Sequence, residues 1–229
     1  VSLSTVGFTG ADLENLLNEA ALLTARRNKN KISNLEIKDA MFRVMMGPEK
    51  NSKKLTDKVK KLTAYHESGH AIVLRTVSDT QKVDRVTIIP AGRAGGYTAY
   101  KPVEDVDFYT KDMLLDSIKV ALGGRAAEEL FLDDITTGAS SDLQSCNKLA
   151  RNMIKKYGLS EKFKNLVFDD ENDEVFLGSS FGHVQGYSDE TAAAIDAEVQ
   201  GIIDSCYEEV KRILNEKKST VEGLATRLI

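Results

Sequence analysis

Tryptophan is missing from this 229-residue chain, which has only three prolines, two cysteines and three histidines. No Trp and little Pro fit a helix-rich chain better than a β-sandwich. Cys146 and Cys206 are far apart, and neither has a Cys or His at ligand spacing. That excludes a thiolate zinc site and reads as two buried thiols of a reducing compartment. No apolar run approaches the ~20 residues that cross a bilayer, and no secretory leader is visible. The net charge of −4 provides no electrostatic attraction for nucleic acid or an anionic membrane surface. G-x-x-x-x-G-K-[ST] is absent throughout, so nothing here cradles ATP phosphates. The chain opens "VSLST", without Met, and soon shows a helix start. This suggests a fragment of a longer protein, in which case an absent membrane anchor says nothing about the parent.

What is present is an ordinary soluble composition, 41% hydrophobic and 29% charged, in a length that suits one domain plus a small appendage. Thr9, with Asp12 three residues on, predicts a helix carrying Leu13, Leu16, Leu17, Ala20 and Thr24. Ser33 and Glu36 form a second capping-box pattern, before Ile37, Ala40, Met41 and Val44. The stretch "GPEKNSKK" (Gly47–Lys54) then reads as a linker. Two short helices make too little core for a domain and suggest the tail of something upstream. A helix over about 55–77 follows, with Leu55, Val59, Leu62, His66, Gly69, His70 and Val73 recurring on one face. "KVDRVTII" and "YTAYK", joined by "PAGRAGG", predict a β-ribbon with a long loop. Helical patterns return over about 110–131 and 141–157, the latter closed by Gly158, and from about Ser188 onward. The expected class is therefore mainly α with a small β-ribbon, divided as residues 1–46, a linker over 47–54, and 55–229.

Two of the three histidines stand in "YHESGHA" (Tyr65–Ala71), four residues apart. Residues i and i+4 share a helix face, so His66 and His70 can offer imidazoles to one ion. Glu67 would project beside them, and Gly69 would keep the intervening surface low. This is the zinc-protease arrangement of two ligands and a general base. Chance produces two of three histidines at this spacing in roughly 2–3% of shuffled chains, and with Glu directly after the first in roughly 0.2%.

A catalytic zinc needs a third protein ligand and one open position. The extension H-x-x-x-H-x-x-G-x-x-H fails, since Val73 and Thr76 stand where it needs Gly and His. A Glu about twenty residues downstream also fails, because none occurs between Glu67 and Glu104. The carboxylates left are Asp79, Asp84, Glu104, Glu128, Glu129 and Asp142, and the remaining histidine is His183. Asp79 and Asp84 follow the helix too closely to fold back easily. His183 lies in a loop-like stretch. Glu128 or Glu129, ending a helix in "GGRAAEELF", could face the site. Asp142 opens a helix in "TTGASSDLQ", which also suits an acidic residue that merely offsets the helix dipole. Spacing alone leaves Asp142, Glu128, Glu129 and His183 open.

Taken in order, "GFTGADLENLLNEAALLTARRNK", "MMGPEKNSKKL", "AYHESGHA", "TTGASSDLQ", "LARNMIKKYGLS" and "YSDETAAAID" resemble the FtsH family of membrane-anchored AAA+ zinc metalloproteases. The resemblance runs over nearly the whole chain, and Ser68 departs from it only mildly, where the family usually has Ala. It implies Zn2+ on His66, His70 and Asp142 with Glu67 as the catalytic carboxylate, leaving Glu128 and Glu129 to support or pack. A mostly helical peptidase domain and a homo-hexameric ring are implied, with unfolded or membrane-extracted proteins as substrates. In the parent, the membrane would be reached through an N-terminal segment missing here, with the peptidase on the cytoplasmic or organelle-equivalent side. The N-terminal helices resemble the end of an AAA+ lid, with Gly10 and Ala11 nearest the nucleotide in the full-length protein. ATP and Mg2+ would be handled only there. Two readings of the ribbon stay open: an unpaired edge that pairs with an extended substrate backbone, blind to side chains, or a ribbon that only packs the core.

Overall fold

The computed structural model describes residues 5, 7–50, 54–92, 94–104, 106, 108–132, 134–168 and 186–229. His183 lies outside the described residues. Among the described residues, seven helices and one two-stranded ribbon follow in chain order: α1 (Gly10–Arg26), α2 (Asn34–Met46), α3 (Asp57–Val77), β1 (Gln81–Thr87), β2 (Tyr97–Pro102), α4 (Lys111–Leu132), α5 (Ser140–Lys155), α6 (Asp189–Glu216) and α7 (Lys218–Leu228). A 3-10 turn at Thr137–Ala139 leads into α5.

Local sequence explains where these helices begin. Thr9 and Ser33 each build a capping box, with Asp12 and Glu36 returning the hydrogen bond to the cap backbone. Thr56 and Ser188 cap α3 and α6 with their hydroxyls. Gly158 has φ +61°, a conformation that suits the chain turn just past α5. The long helix expected from about Ser188 runs to Glu216, and after Lys217 the chain resumes as α7. Neither Pro nor Gly marks this break. Val221 and Ala225, one turn apart, are fully buried on the new helix.

Helices α3 to α7 share one core, in which Val73, Ile118, Leu122, Met153, Ile195 and Val210 are fully or almost fully buried. Cys146 and Cys206 lie in it, and burial pushes their thiols up to about 12 and about 11, leaving them inert at neutral pH. A second core holds Leu16, Ala20 and Leu23 of α1 and Ala40, Met41 and Phe42 of α2, closed by Ala91 and Tyr97 from the ribbon. The first two helices are therefore completed from the ribbon. Leu13 and Leu17, expected in the stripe of α1, are 41% and 57% exposed. Within the stretch expected to be a linker, Gly47–Lys50 rests on the ribbon loop, where Glu49 bridges Ala91.

The strands pair antiparallel with Val86 opposite Thr98, and Asp84 is the extra residue where the register shifts. Helix α4 approaches α3 very closely because glycines face each other at the crossing. A Cβ on Gly69 would lie 2.2 Å from the carbonyl oxygen of Gly123, and one on Gly123 would lie 2.8 Å from that of Gly69. Gly69 is thus required by helix packing, whereas the sequence reading assigned it to opening the ligand face.

Ser68 carries the one buried side-chain polar atom without a partner among the described residues. An unpaired buried hydroxyl costs about 1–3 kcal/mol, and alanine is also the better helix former. Ser68→Ala is therefore expected to raise the melting temperature by about 2–4 °C for each kcal/mol recovered. A calorimetric scan showing no gain, or a loss, would mean that the hydroxyl has a partner in solution.

Candidate metal centre

His66 and His70 lie one turn apart on α3, and their Nε2 atoms are 3.1 Å apart. Asp142, in the first turn of α5, brings Oδ2 to 3.4 Å from Nε2 of His66 and 3.7 Å from Nε2 of His70. These three residues form the group of potential metal ligands among the described residues. A tetrahedral ion with ligand bonds near 2.0–2.1 Å spaces its donors about 3.3–3.4 Å apart. The triangle of 3.1, 3.4 and 3.7 Å therefore fits such an ion.

The tautomers are set from behind. His70 Nδ1 lies 2.7 Å from the carbonyl oxygen of Val120, which can only accept, so Nδ1 carries the proton. His66 Nδ1 donates to Oε1 of Glu128 at 2.7 Å. In the neutral form of each ring the Nε2 lone pair consequently turns toward Asp142, the arrangement of a metal-binding histidine with its second nitrogen anchored. Three lone-pair donors converging on one point call for a positive charge among them.

Glu128 is fully buried and serves both sides of the site, since its Oε2 accepts from the backbone N–H of Thr136 at 2.8 Å. One carboxylate thus holds His66 on α3 and the loop that delivers Asp142. Burial pushes this carboxyl up, but the bonds from His66 and Thr136 outweigh it and hold it below the usual range. For His66, burial opposes charge, while hydrogen bonds to Asp142 and Glu128 push the imidazole up to about 9. His70 goes the other way, lowered by burial and then by the charge on His66.

Gly124 of α4 shapes the floor. A Cβ there would lie 2.5–2.6 Å from Cε1 and Nε2 of His66 and from Nε2 of His70. Only a residue without a side chain leaves room at the point where the donors meet.

Glu67 is 6% exposed and lines the same cavity as the three donors, a space of about 760 Å3 also bordered by Met46, Gly96 and Thr98. The hydroxyl of Thr98 donates to Oε2 of Glu67 at 2.8 Å. Burial pushes the Glu67 carboxyl up to about 7, against the opposing pull of Thr98 and His66.

The other sequence candidates lie elsewhere. Glu129 accepts from the Tyr207 hydroxyl at 2.5 Å, and Asp84 pairs with Lys101 at 3.5 Å and Lys38 at 3.8 Å. Asp79 and Glu104 are exposed, as are Gly10 and Ala11 in the first turn of α1. Sequence reasoning missed Thr98, Val120 and Gly124 as parts of the site. The paired glycines in "LGGRAA" were the available signal for Gly124, while a backbone carbonyl such as that of Val120 leaves none.

A sequence model of peptidase family M41 matches residues 53–229, and one of the AAA+ lid domain matches residues 1–39. Among curated proteins, the ATP-dependent zinc metalloprotease FtsH of Ruminiclostridium cellulolyticum is 57% identical over 98% of this chain and 36% of its own length. Proteins of the same name from Veillonella parvula and Bacillus subtilis are 48% and 45% identical over 100% of this chain, again 36% of their own lengths. The chain spans about a third of the length of these curated relatives.

Proposed function

Because this chain belongs to peptidase family M41 and is a metalloendopeptidase, we propose that His66, His70 and Asp142 hold its zinc and that Glu67 is its general base. The convergence of three lone-pair donors beside a buried carboxylate carries this reading. Zinc bound there supplies Lewis acidity, making a water acidic near neutral pH and polarising the scissile carbonyl. The protein's own residues do the rest. Glu128 and the Val120 carbonyl keep the imidazoles turned so that Nε2 faces the donor triangle. Glu67 takes a proton from the attacking water as its oxygen bonds to the carbonyl carbon. The same carboxyl then delivers that proton to the leaving amine nitrogen as the C–N bond breaks, so one water is consumed per bond cut.

In its longer parent, this piece would be the peptidase of an ATP-dependent, membrane-anchored homo-hexamer that hydrolyses unfolded or membrane-extracted proteins. Residues 1–46 would form the end of the AAA+ lid, with Gly10 and Ala11 near the nucleotide, 47–54 the connection, and 55–229 the peptidase on the cytoplasmic or equivalent side. The lid match over residues 1–39 and the names of the relatives support this assignment. No helix among the described residues is long and apolar enough to cross a membrane.

The direct test is zinc per chain, measured by elemental analysis after dialysis. One zinc is expected in the wild-type chain, and Asp142→Ala is expected to bind at least about 100-fold more weakly. Full retention by the variant would transfer the third position to another residue. Wild-type chain that takes up no zinc on reconstitution would end the metalloenzyme reading of these residues.

A further inference from the structure

Tyr97 and Thr98 are neighbours on β2, so their side chains leave the strand on opposite faces. One face belongs to the first two helices. Tyr97 is 5% exposed in their core, with its ring 6.1 Å from that of Phe42. The other face belongs to the site, where Thr98 holds the Glu67 carboxylate. On β1, Arg85 sits opposite Ala99, lies 4.2 Å over the Phe42 ring, and donates to Asp39 of α2 at 2.7 Å.

The ribbon loop adds a second connection. Lys50 N–H donates to the Pro90 carbonyl at 2.7 Å, and a Cβ on Gly92 would lie 2.3 Å from the carbonyl oxygen of Met46. Met46, the last residue of α2, also borders the cavity. At the other end of the loop, a Cβ on Gly96 would lie 3.2 Å from Oε1 of Glu67. Close packing of this kind transmits displacement because it leaves no room to absorb it.

We infer that Thr98 is a positioning residue for Glu67, and that the α1–α2 unit sets Thr98 through Phe42, Tyr97 and Arg85, so that seating of these two helices governs the rate of hydrolysis. The inference rests on Glu67 being the general base. Misplacement of a reacting group by about 1 Å can cost about 100-fold in rate, so a small rotation of the strand is enough to matter.

The test uses the zinc-loaded 229-residue chain cleaving an unfolded fluorogenic protein, with kcat and KM separated and zinc content and melting temperature measured in parallel. Thr98→Val keeps the shape and removes the donor. It is expected to lower kcat about tenfold with KM within about twofold and full zinc, while Thr98→Ser restores most of the rate. Phe42→Leu is expected to lower kcat about three- to fivefold in the wild-type background but by less than about 1.5-fold in the Thr98→Val background. Should Phe42→Leu loosen the helices globally, Asp39→Ala removes the acceptor of Arg85 at a less buried place and is read in the same cycle. Wild-type kcat in Thr98→Val, or an equal lid effect in both backgrounds, would overturn the inference. Glu67→Gln is run alongside. If it stays active, the general-base reading fails; if it is dead while Thr98→Val is unimpaired, only the positioning inference fails.

Discussion

Exchanging Glu67 for Gln is expected to lower kcat for peptide hydrolysis by about 10³-fold, or about 4 kcal/mol of transition-state stabilisation, while the chain keeps its zinc. The amide has the shape of the carboxylate, and its oxygen can still accept from Thr98, which stands 2.8 Å from Oε2. What it loses is the capacity to take a proton from water. The proposed metal donors are His66, His70 and Asp142, so zinc content is a control that should not move. Folding should not suffer, because burying a charged carboxylate costs free energy that a neutral amide avoids. Single-turnover kinetics with an unfolded protein, beside zinc analysis on the same sample, would check this. A variant that cuts within a few-fold of wild type would remove Glu67 from the mechanism.

Gly124→Ala is expected to be nearly as damaging by the opposite route, losing zinc and activity together while the helices stay formed. A methyl group at this position would come within 2.5–2.6 Å of His66 and His70, at the point toward which their Nε2 atoms turn. Relief requires the imidazoles to swing away, which would break His66 from Glu128 or His70 from the Val120 carbonyl, both at 2.7 Å. Displaced ligands and broken supporting bonds together should weaken zinc by more than about 100-fold. Alanine gains about 0.8–1.0 kcal/mol of helix propensity over glycine, which partly offsets overpacking of about 1–3 kcal/mol. Far-UV circular dichroism should therefore be unchanged beside a strongly reduced zinc content. Normal zinc uptake would mean that the floor of the site yields more readily than its contacts imply.

Much of the centre was legible in one short stretch because helix periodicity is a local rule. His66 and His70 share a face by spacing alone, and "YHESGHA" identified both imidazoles and the neighbouring carboxylate. The capping boxes at Thr9 and Ser33 were readable for the same reason, since each closes within one turn. Spacing could not choose the third donor. Asp142 lies 72 residues beyond His70, and only the packing of α4 between α3 and α5 brings it within 3.7 Å. Resemblance to a family selected it, which local physics could not.

The supporting residues were hidden more deeply. Glu128 looked like a rival ligand, yet it stands behind His66 and also ties down the loop before α5. Thr98 looked like a plain strand residue, and Val120 acts through a backbone oxygen that every residue possesses. Neither Pro nor Gly marks the end of α6 at Glu216, so nothing local in the sequence places it.

By itself, then, the sequence determined the helical class, the capped helix starts, the pair of imidazoles and the acid beside them. Each of these depends on residues within a turn or two of one another. Tertiary structure alone decided which distant carboxylate completes the donor triangle, which groups orient the imidazoles, and that the first two helices close their core on the ribbon. Those outcomes depend on close approach between elements far apart in the chain, made possible where Gly69 meets Gly123 and Gly124 meets the imidazoles, and sequence spacing carries no distance across such contacts.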